Sequence, residues 1–130
     1  MVRKLHDRPG WPVYKIKLDA SGGLDLVQEL RKHTDAKFRV DANCSWKLEQ
    51  VRTLAGELAA QNVELIEQPL EHLEYDAMRE FKGACALPIM ADESCQVESD
   101  VDRCIPSFDA INIKLVKCGG LTPARRMIAR

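Results

Sequence analysis

Three carboxylates recur in this chain at nearly fixed intervals, and each closes a short apolar run. Asp41 follows Phe38-Arg39-Val40, Glu67 follows Val63-Glu64-Leu65-Ile66, and Asp92 follows Pro88-Ile89-Met90-Ala91. Asp41 to Glu67 is 26 residues, and Glu67 to Asp92 is 25. An apolar run that stops at an acid and then at polar or proline punctuation reads as a buried strand ending at a functional edge. One acid at a strand end is ordinarily a solvated or capping residue; three at one spacing on one face point to a site. Oxygen donors without His or Cys among them suit a hard cation. Magnesium comes first, because it accepts a few carboxylates and leaves positions for substrate oxygens.

Two lysines flank the acids. Lys17 lies near the end of Tyr14-Lys15-Ile16-Lys17-Leu18, and Lys114 lies in Ala110-Ile111-Asn112-Ile113-Lys114-Leu115. The intervals persist, with 24 residues from Lys17 to Asp41 and 22 from Asp92 to Lys114. A lysine that is partly desolvated beside a divalent cation has a lowered pKa and can act as a general base near neutrality. The cation would stabilise the enediolate formed when a proton α to a carboxylate leaves. With one lysine abstracting and the other delivering to the opposite face, the outcome is inversion at carbon. Lys15 reads as a charged neighbour that tunes Lys17. Lys117 reads as a loop or helix-start cation.

Strands over 13–18, 37–41, 63–67, 88–91 and 109–115 would place these residues. The turn Ser21-Gly22-Gly23 opens a helix that runs to about residue 33, and Ser45 is the expected N-cap of a helix carrying Leu48, Val51, Leu54, Ala55 and Leu58. Further helices are expected over 74–83 and over 99–105, the latter with Ser99 and Asp102 at capping-box spacing. A last helix should be capped by Thr122 with Pro123 at its first position. Residues 1–12, broken by Pro9, Gly10 and Pro12, read as an irregular lead-in to a domain spanning 13–130. Five βα units at this spacing predict a parallel sheet. Period-2 reading gives one apolar face (Tyr14, Ile16, Leu18, Phe38, Val40, Ile66, Ile89, Ala91, Ile111, Ile113 and Leu115) and one face carrying the charges. A charged face is foreign to a doubly wound sheet covered by helices on both sides. It suits a (β/α) barrel, whose strand ends converge on one mouth. A full barrel needs eight units and about 250 residues, so the expected fold is α/β, a partial (β/α) TIM-type barrel.

The chain has 130 residues, with 19 basic against 20 acidic, and no long run of one sign. That balance argues against a nucleic-acid partner or an anionic membrane surface. The polar start lacks a signal-peptide core, and no apolar run approaches the roughly 18 residues of a membrane span, so the expected location is cytoplasmic. Five cysteines, an odd number without a CxxC pair, read as reduced and mostly buried thiols rather than a disulfide framework or a zinc site.

Five motifs in order, Lys15-Ile16-Lys17, Asp41-Ala42-Asn43, Glu67-Gln68-Pro69, Asp92-Glu93-Ser94 and Ile113-Lys114 with Gly119-Gly120, resemble the signature set of the enolase superfamily, muconate-lactonizing subgroup. The phrase from Ile111 to Gly120 is similar to dipeptide epimerases of the L-Ala-D/L-Glu type. The resemblance runs from about Trp11 to the C-terminus. It implies Asp41, Glu67 and Asp92 as Mg2+ ligands, Lys17 and Lys114 as acid/base catalysts, and Lys15, Asn43 and Glu93 in support. The implied substrate is a small molecule, a dipeptide or another carboxylate. Family members also carry an N-terminal α+β capping domain and further barrel strands, one with an acidic motif for the substrate's amino terminus; both are expected to be absent here. A muconate cycloisomerase, an acylamino-acid racemase or a non-catalytic truncated fragment fits the same residues. A phospho-receiver domain shares the five-unit plan but needs an acidic pair where this chain has Lys15 and Lys17. Unpaired edges at 13–18 and 109–115 predict a homodimer or higher oligomer.

Overall fold

The alternation Val13-Tyr14-Lys15-Ile16-Lys17 becomes β1, Val13–Lys17, in a computed structural model that describes residues 2–19, 21 and 23–130. The four other strands are β2 (Lys37–Asp41), β3 (Val63–Glu67), β4 (Ile89–Ala91) and β5 (Ala110–Ile111). They form one sheet in the order β1-β2-β3-β4-β5, every neighbouring pair parallel. The helices are α1 (Val2–Asp7), α2 (Gly23–Arg31), α3 (Leu48–Ala60), α4 (Tyr75–Ala84), α5 (Val101–Cys104), α6 (Leu115–Cys118) and α7 (Leu121–Ala129). Successive helices pack side by side, α1 on α2, α2 on α3 and α3 on α4. Among the described residues no helix is long and apolar enough to cross a membrane.

The core lies between the helices and the apolar side of the sheet. Phe38, Val40, Ile66, Ile89 and Ala91 are wholly buried, as are Val27, Val51, Leu58, Met78 and Phe81 from α2, α3 and α4. Arg31, at the end of α2, closes the foot of the sheet. Its guanidinium donates to the carbonyls of Gln61 (3.1 and 2.6 Å), Thr34 (2.7 Å) and Ala36 (2.8 Å). The same group lies 4.1 Å above the Phe38 ring, so one side chain ties α2 to the turns that enter β2 and β3.

Several boundaries depart from expectation, each for a local reason. The lead-in is only partly irregular: residues 8–12 have no regular structure, but Val2 and Leu5, three apart, form the apolar side of α1, and Leu5 is buried. Met1 and Gly22, the latter in the expected Ser21-Gly22-Gly23 turn, lie outside the described residues. Ser45 does not cap α3, because its hydroxyl donates instead to the Ala42 carbonyl at 2.6 Å. The N-cap is Lys47, whose N–H is taken by the Gln50 side chain at 2.8 Å. Ahead of α5, the Asp100 carboxylate accepts the N–H groups of Gln96 and Val97, so the Ser99–Asp102 box is not the device used. The fifth strand stops at Ile111 rather than 115. Its neighbour β4 ends at Ala91, and beyond the bond from Asn112 N–H to the Ala91 carbonyl it has no ladder to follow. Lys114 therefore caps α6 and Leu115 is exposed instead of lying under a helix. Gly119, at φ +90°, ends α6 in the left-handed region that suits glycine. Gly120 is the N-cap of α7, which puts Pro123 at the third helical position. Its missing N–H costs nothing there, because that donor has no partner in the first turn.

Candidate active site

Parallel register carries the charged residues to one edge of the sheet. Lys17 stands beside Asp41, Asp41 beside Glu67, and Glu67 beside Met90. Asp92 thus lies one side-chain step beyond the row that holds the other two acids, the stagger that tilted barrel strands produce. The ladder continues past the strands themselves, with Leu18 N–H on the Asp41 carbonyl, Ala42 N–H on that of Glu67 and Gln68 N–H on that of Met90. Asn43, Cys44 and Gln68, all just beyond this edge, have positive φ of 44°, 60° and 39°. Non-glycine residues are held in that region only when the surroundings over-determine them, and such strain gathers at working sites.

Asp41, Glu67 and Asp92 are 2%, 1% and 0% exposed, so their charges must be matched at close range. Lys15 matches two of them, its ammonium 2.9 Å from Asp41 Oδ2 and 2.7 Å from Glu67 Oε2. Asn112 Nδ2 donates to the other Glu67 oxygen at 2.9 Å. Asp92 is bonded by Lys114 and, at 3.0 Å, by Lys117. Burial draws the Lys15 ammonium down, but the Glu67 and Asp41 carboxylates outweigh it and hold its pKa above the usual lysine range. Burial raises Asp92, and the bonds from Lys114 and Lys117 more than reverse that, leaving it below the usual carboxylate range. Lys114 is raised by its bond to Asp92, the opposite of the lowered value expected for a base. Lys17 is the freest of these cations, its side chain 71% exposed, with Nζ 2.8 Å from Asn43 Oδ1 and 3.9 Å from Asp41 Oδ2. Asn43 Nδ2 in turn points to Glu93 Oε1 at 3.4 Å, while Glu93 Oε2 is buried without a partner.

All eight residues expected at the site therefore gather at one edge, in an arrangement other than the one expected. Among the described residues no three His, Cys, Asp or Glu groups stand close enough to hold a metal ion, and the three acids do not close into one group. The ion pairs divide the three acids: Lys15 bridges Asp41 and Glu67, while Lys114 and Lys117 both bind Asp92. The donor chemistry nevertheless fits a hard cation, since all three acids offer oxygen, all are buried, and two already converge on a single positive charge. Lys15 is a bridge between acids rather than only a neighbour of Lys17. Lys117, expected as a loop or helix-start cation, lies in the short helix α6 and also binds Asp92. Asn112 and Gln68 were not singled out as site residues; the signal for Gln68 was an uncharged polar residue held between Glu67 and a proline.

A profile described as enolase C-terminal domain-like matches residues 1–130. The chain belongs to that family. This enolase-type domain is 51% identical over 130 residues to an L-Ala-D/L-amino acid epimerase of a Maribacter strain, covering all of this chain and 38% of that protein. Among solved structures it is similar to a substrate-liganded L-Ala-D/L-Glu epimerase from Bacillus subtilis, with a TM-score of 0.89 and 31% identity over 98% of this chain and 38% of the other. It is also similar to a dipeptide epimerase from Cytophaga hutchinsonii complexed with Mg and the dipeptide D-Ala-L-Val, at TM-score 0.86, 30% identity and 92% and 34% coverage. The enolase-type domain described here thus spans well under half the length of the relatives it matches, five strands of their barrel in one parallel sheet.

Proposed function

We propose that this chain carries the proton-transfer and cation-holding residues of a magnesium-dependent epimerase acting on a carbon α to a carboxylate, with a dipeptide as substrate. The observation that carries the reading is the row of buried acids, Asp41, Glu67 and Asp92, with Lys17 on the first strand and Lys114 beyond the fifth at the two ends of the arc. Two relatives described as L-Ala-D/L-amino acid and L-Ala-D/L-Glu epimerases, and a dipeptide epimerase complexed with Mg and D-Ala-L-Val, support it.

Asp41, Glu67 and Asp92 would hold the magnesium, which when bound offsets the negative charge that develops on the substrate carboxylate as its α-proton leaves. Lys17 abstracts the proton on one face. It is the more solvent-open of the two lysines, and Asn43 accepts a hydrogen bond from its ammonium and so fixes where Nζ sits. Lys114 is held protonated by Asp92 and donates to the opposite face. For the other stereoisomer the roles exchange. Lys15, on the same strand as Lys17, bridges the Asp41 and Glu67 carboxylates. The five cysteines are all free thiols, and the proposed location is the cytoplasm.

The experiment is α-proton exchange in deuterated water, followed by NMR with magnesium and a panel of L-Ala dipeptides. Lys17→Ala and Lys114→Ala should each abolish inversion, and each should retain exchange of one stereoisomer only. Full inversion by either variant would remove the two-lysine assignment.

A further inference from the structure

Gln68 is 0% exposed and its side-chain amide is bonded at every position it offers. Nε2 donates to the Leu70 carbonyl at 3.0 Å and to Ser94 Oγ at 2.9 Å. Oε1 accepts the N–H groups of Asp92 and Ser94, both at 3.0 Å. The Gln68 backbone N–H also reaches the Met90 carbonyl at 2.8 Å. One residue thus grips both sides of Ala91, the last residue of β4. The strand ladder has ended there, and the N–H that precedes the Asp92 carboxylate is satisfied by a side chain in place of a strand neighbour. Ser94 anchors the far end: its hydroxyl donates to the His72 carbonyl at 2.8 Å, and its own carbonyl accepts from the Tyr75 hydroxyl at 2.7 Å. Glu67, one residue earlier, and Asp92 are therefore set relative to each other through Gln68, which is itself held at φ 39°.

We propose that Gln68 is a positioning residue that fixes the separation of the Glu67 and Asp92 carboxylates for a divalent cation; this rests on the cation reading given above. Residues one step removed from a metal typically change its affinity by about 10–100-fold when altered. Gln68→Met keeps the volume and removes all four side-chain bonds. Ser94→Ala removes one anchor and leaves Gln68 in place.

The test is calorimetry with Mg2+ alone on the 130-residue chain, paired with melting curves recorded without Mg2+. Gln68→Met should weaken Mg2+ binding roughly 10–100-fold in the folded protein, and Ser94→Ala should weaken it less, in the same direction. Wild-type affinity in Gln68→Met, with only a lower melting temperature, would make Gln68 purely structural and overturn the proposal. Should Gln68→Met fail to fold, Ser94→Ala decides: weakened binding supports the proposal and unchanged binding overturns it. A Glu67→Gln control separates the two levels. If unaltered protein and Glu67→Gln bind equally or not at all, the cation reading falls and this inference with it. If Glu67→Gln alone loses binding, only the role of Gln68 is rejected.

Discussion

Cys44 reports on the electrostatics of the site at the scale of a single residue. It is half-buried behind the Asp41 edge, and burial first, then the carboxylates of Glu93, Glu71 and Asp92, push its thiol up to about 12. A raised pKa keeps the protonated form dominant at every pH below it, and the thiolate is the reactive species. Iodoacetamide at pH 8 should therefore modify Cys44 far more slowly than a free cysteine. Glu93→Gln removes one of the repelling charges and should speed the reaction several-fold, as read by peptide mass spectrometry. A rate in the unaltered protein equal to that of free cysteine would contradict a thiol held protonated by burial and by the nearby carboxylates. Those surroundings match what its neighbours require: Lys15 is drawn onto two acids at once, and Lys17 is held by Asn43 rather than by a carboxylate at bonding distance.

At the scale of elements, the two ends of the sheet are held by different means. The C-terminal edge depends on ion pairs and on Gln68. The opposite end depends on Arg31, which fixes α2 against the entries to β2 and β3 through three carbonyl groups. Arg31→Met keeps an apolar chain over Phe38 but leaves those carbonyls without their donor. Losing charge-assisted bonds of this kind costs roughly 2–3 kcal/mol, so the urea midpoint should fall while Mg2+ affinity stays unchanged. Loss of affinity in that variant would show the foot and the mouth of the sheet to be coupled.

At the scale of the molecule, among the described residues β1 pairs only with β2 and β5 only with β4, so both outer strands have one side without a strand partner there. Grooves lie along each of them, one of about 580 Å3 bordered by Ile105, Ile111, Met127 and Ile128, and one of about 380 Å3 bordered by Leu5, Tyr14, Ile16 and Phe38. Open parallel edges with apolar borders favour association, and the proposed state is a homodimer or higher oligomer. Light scattering behind a sizing column should give at least twice the 14.7 kDa chain mass. A mass of one chain across a wide concentration range would refute this, and would leave α1 and α7 as the elements shielding the edges.

Periodicity determined much of this protein before any contact was known. Short mixed runs of apolar and charged residues, Lys37–Asp41 and Val63–Glu67, set β2 and β3 at their observed bounds, and the near-constant intervals between Lys17, Asp41, Glu67, Asp92 and Lys114 determined that five βα units carry their charges to one edge. Those are properties of residues near one another in the chain, and local order expresses them directly. Only the tertiary structure decided which lysine meets which acid, that Met90 rather than Asp92 stands opposite Glu67, and that the fifth strand ends at Ile111. It also decided that α3 starts after Lys47 without a side-chain cap, because the Ser45 hydroxyl donates to the Ala42 carbonyl. Gln68 shows the physical reason most clearly. Its bonds to Asp92 and Ser94 join residues 24 and 26 positions apart, and such pairings are fixed by strand register and by the need to satisfy buried polar groups, neither of which leaves a period in the sequence.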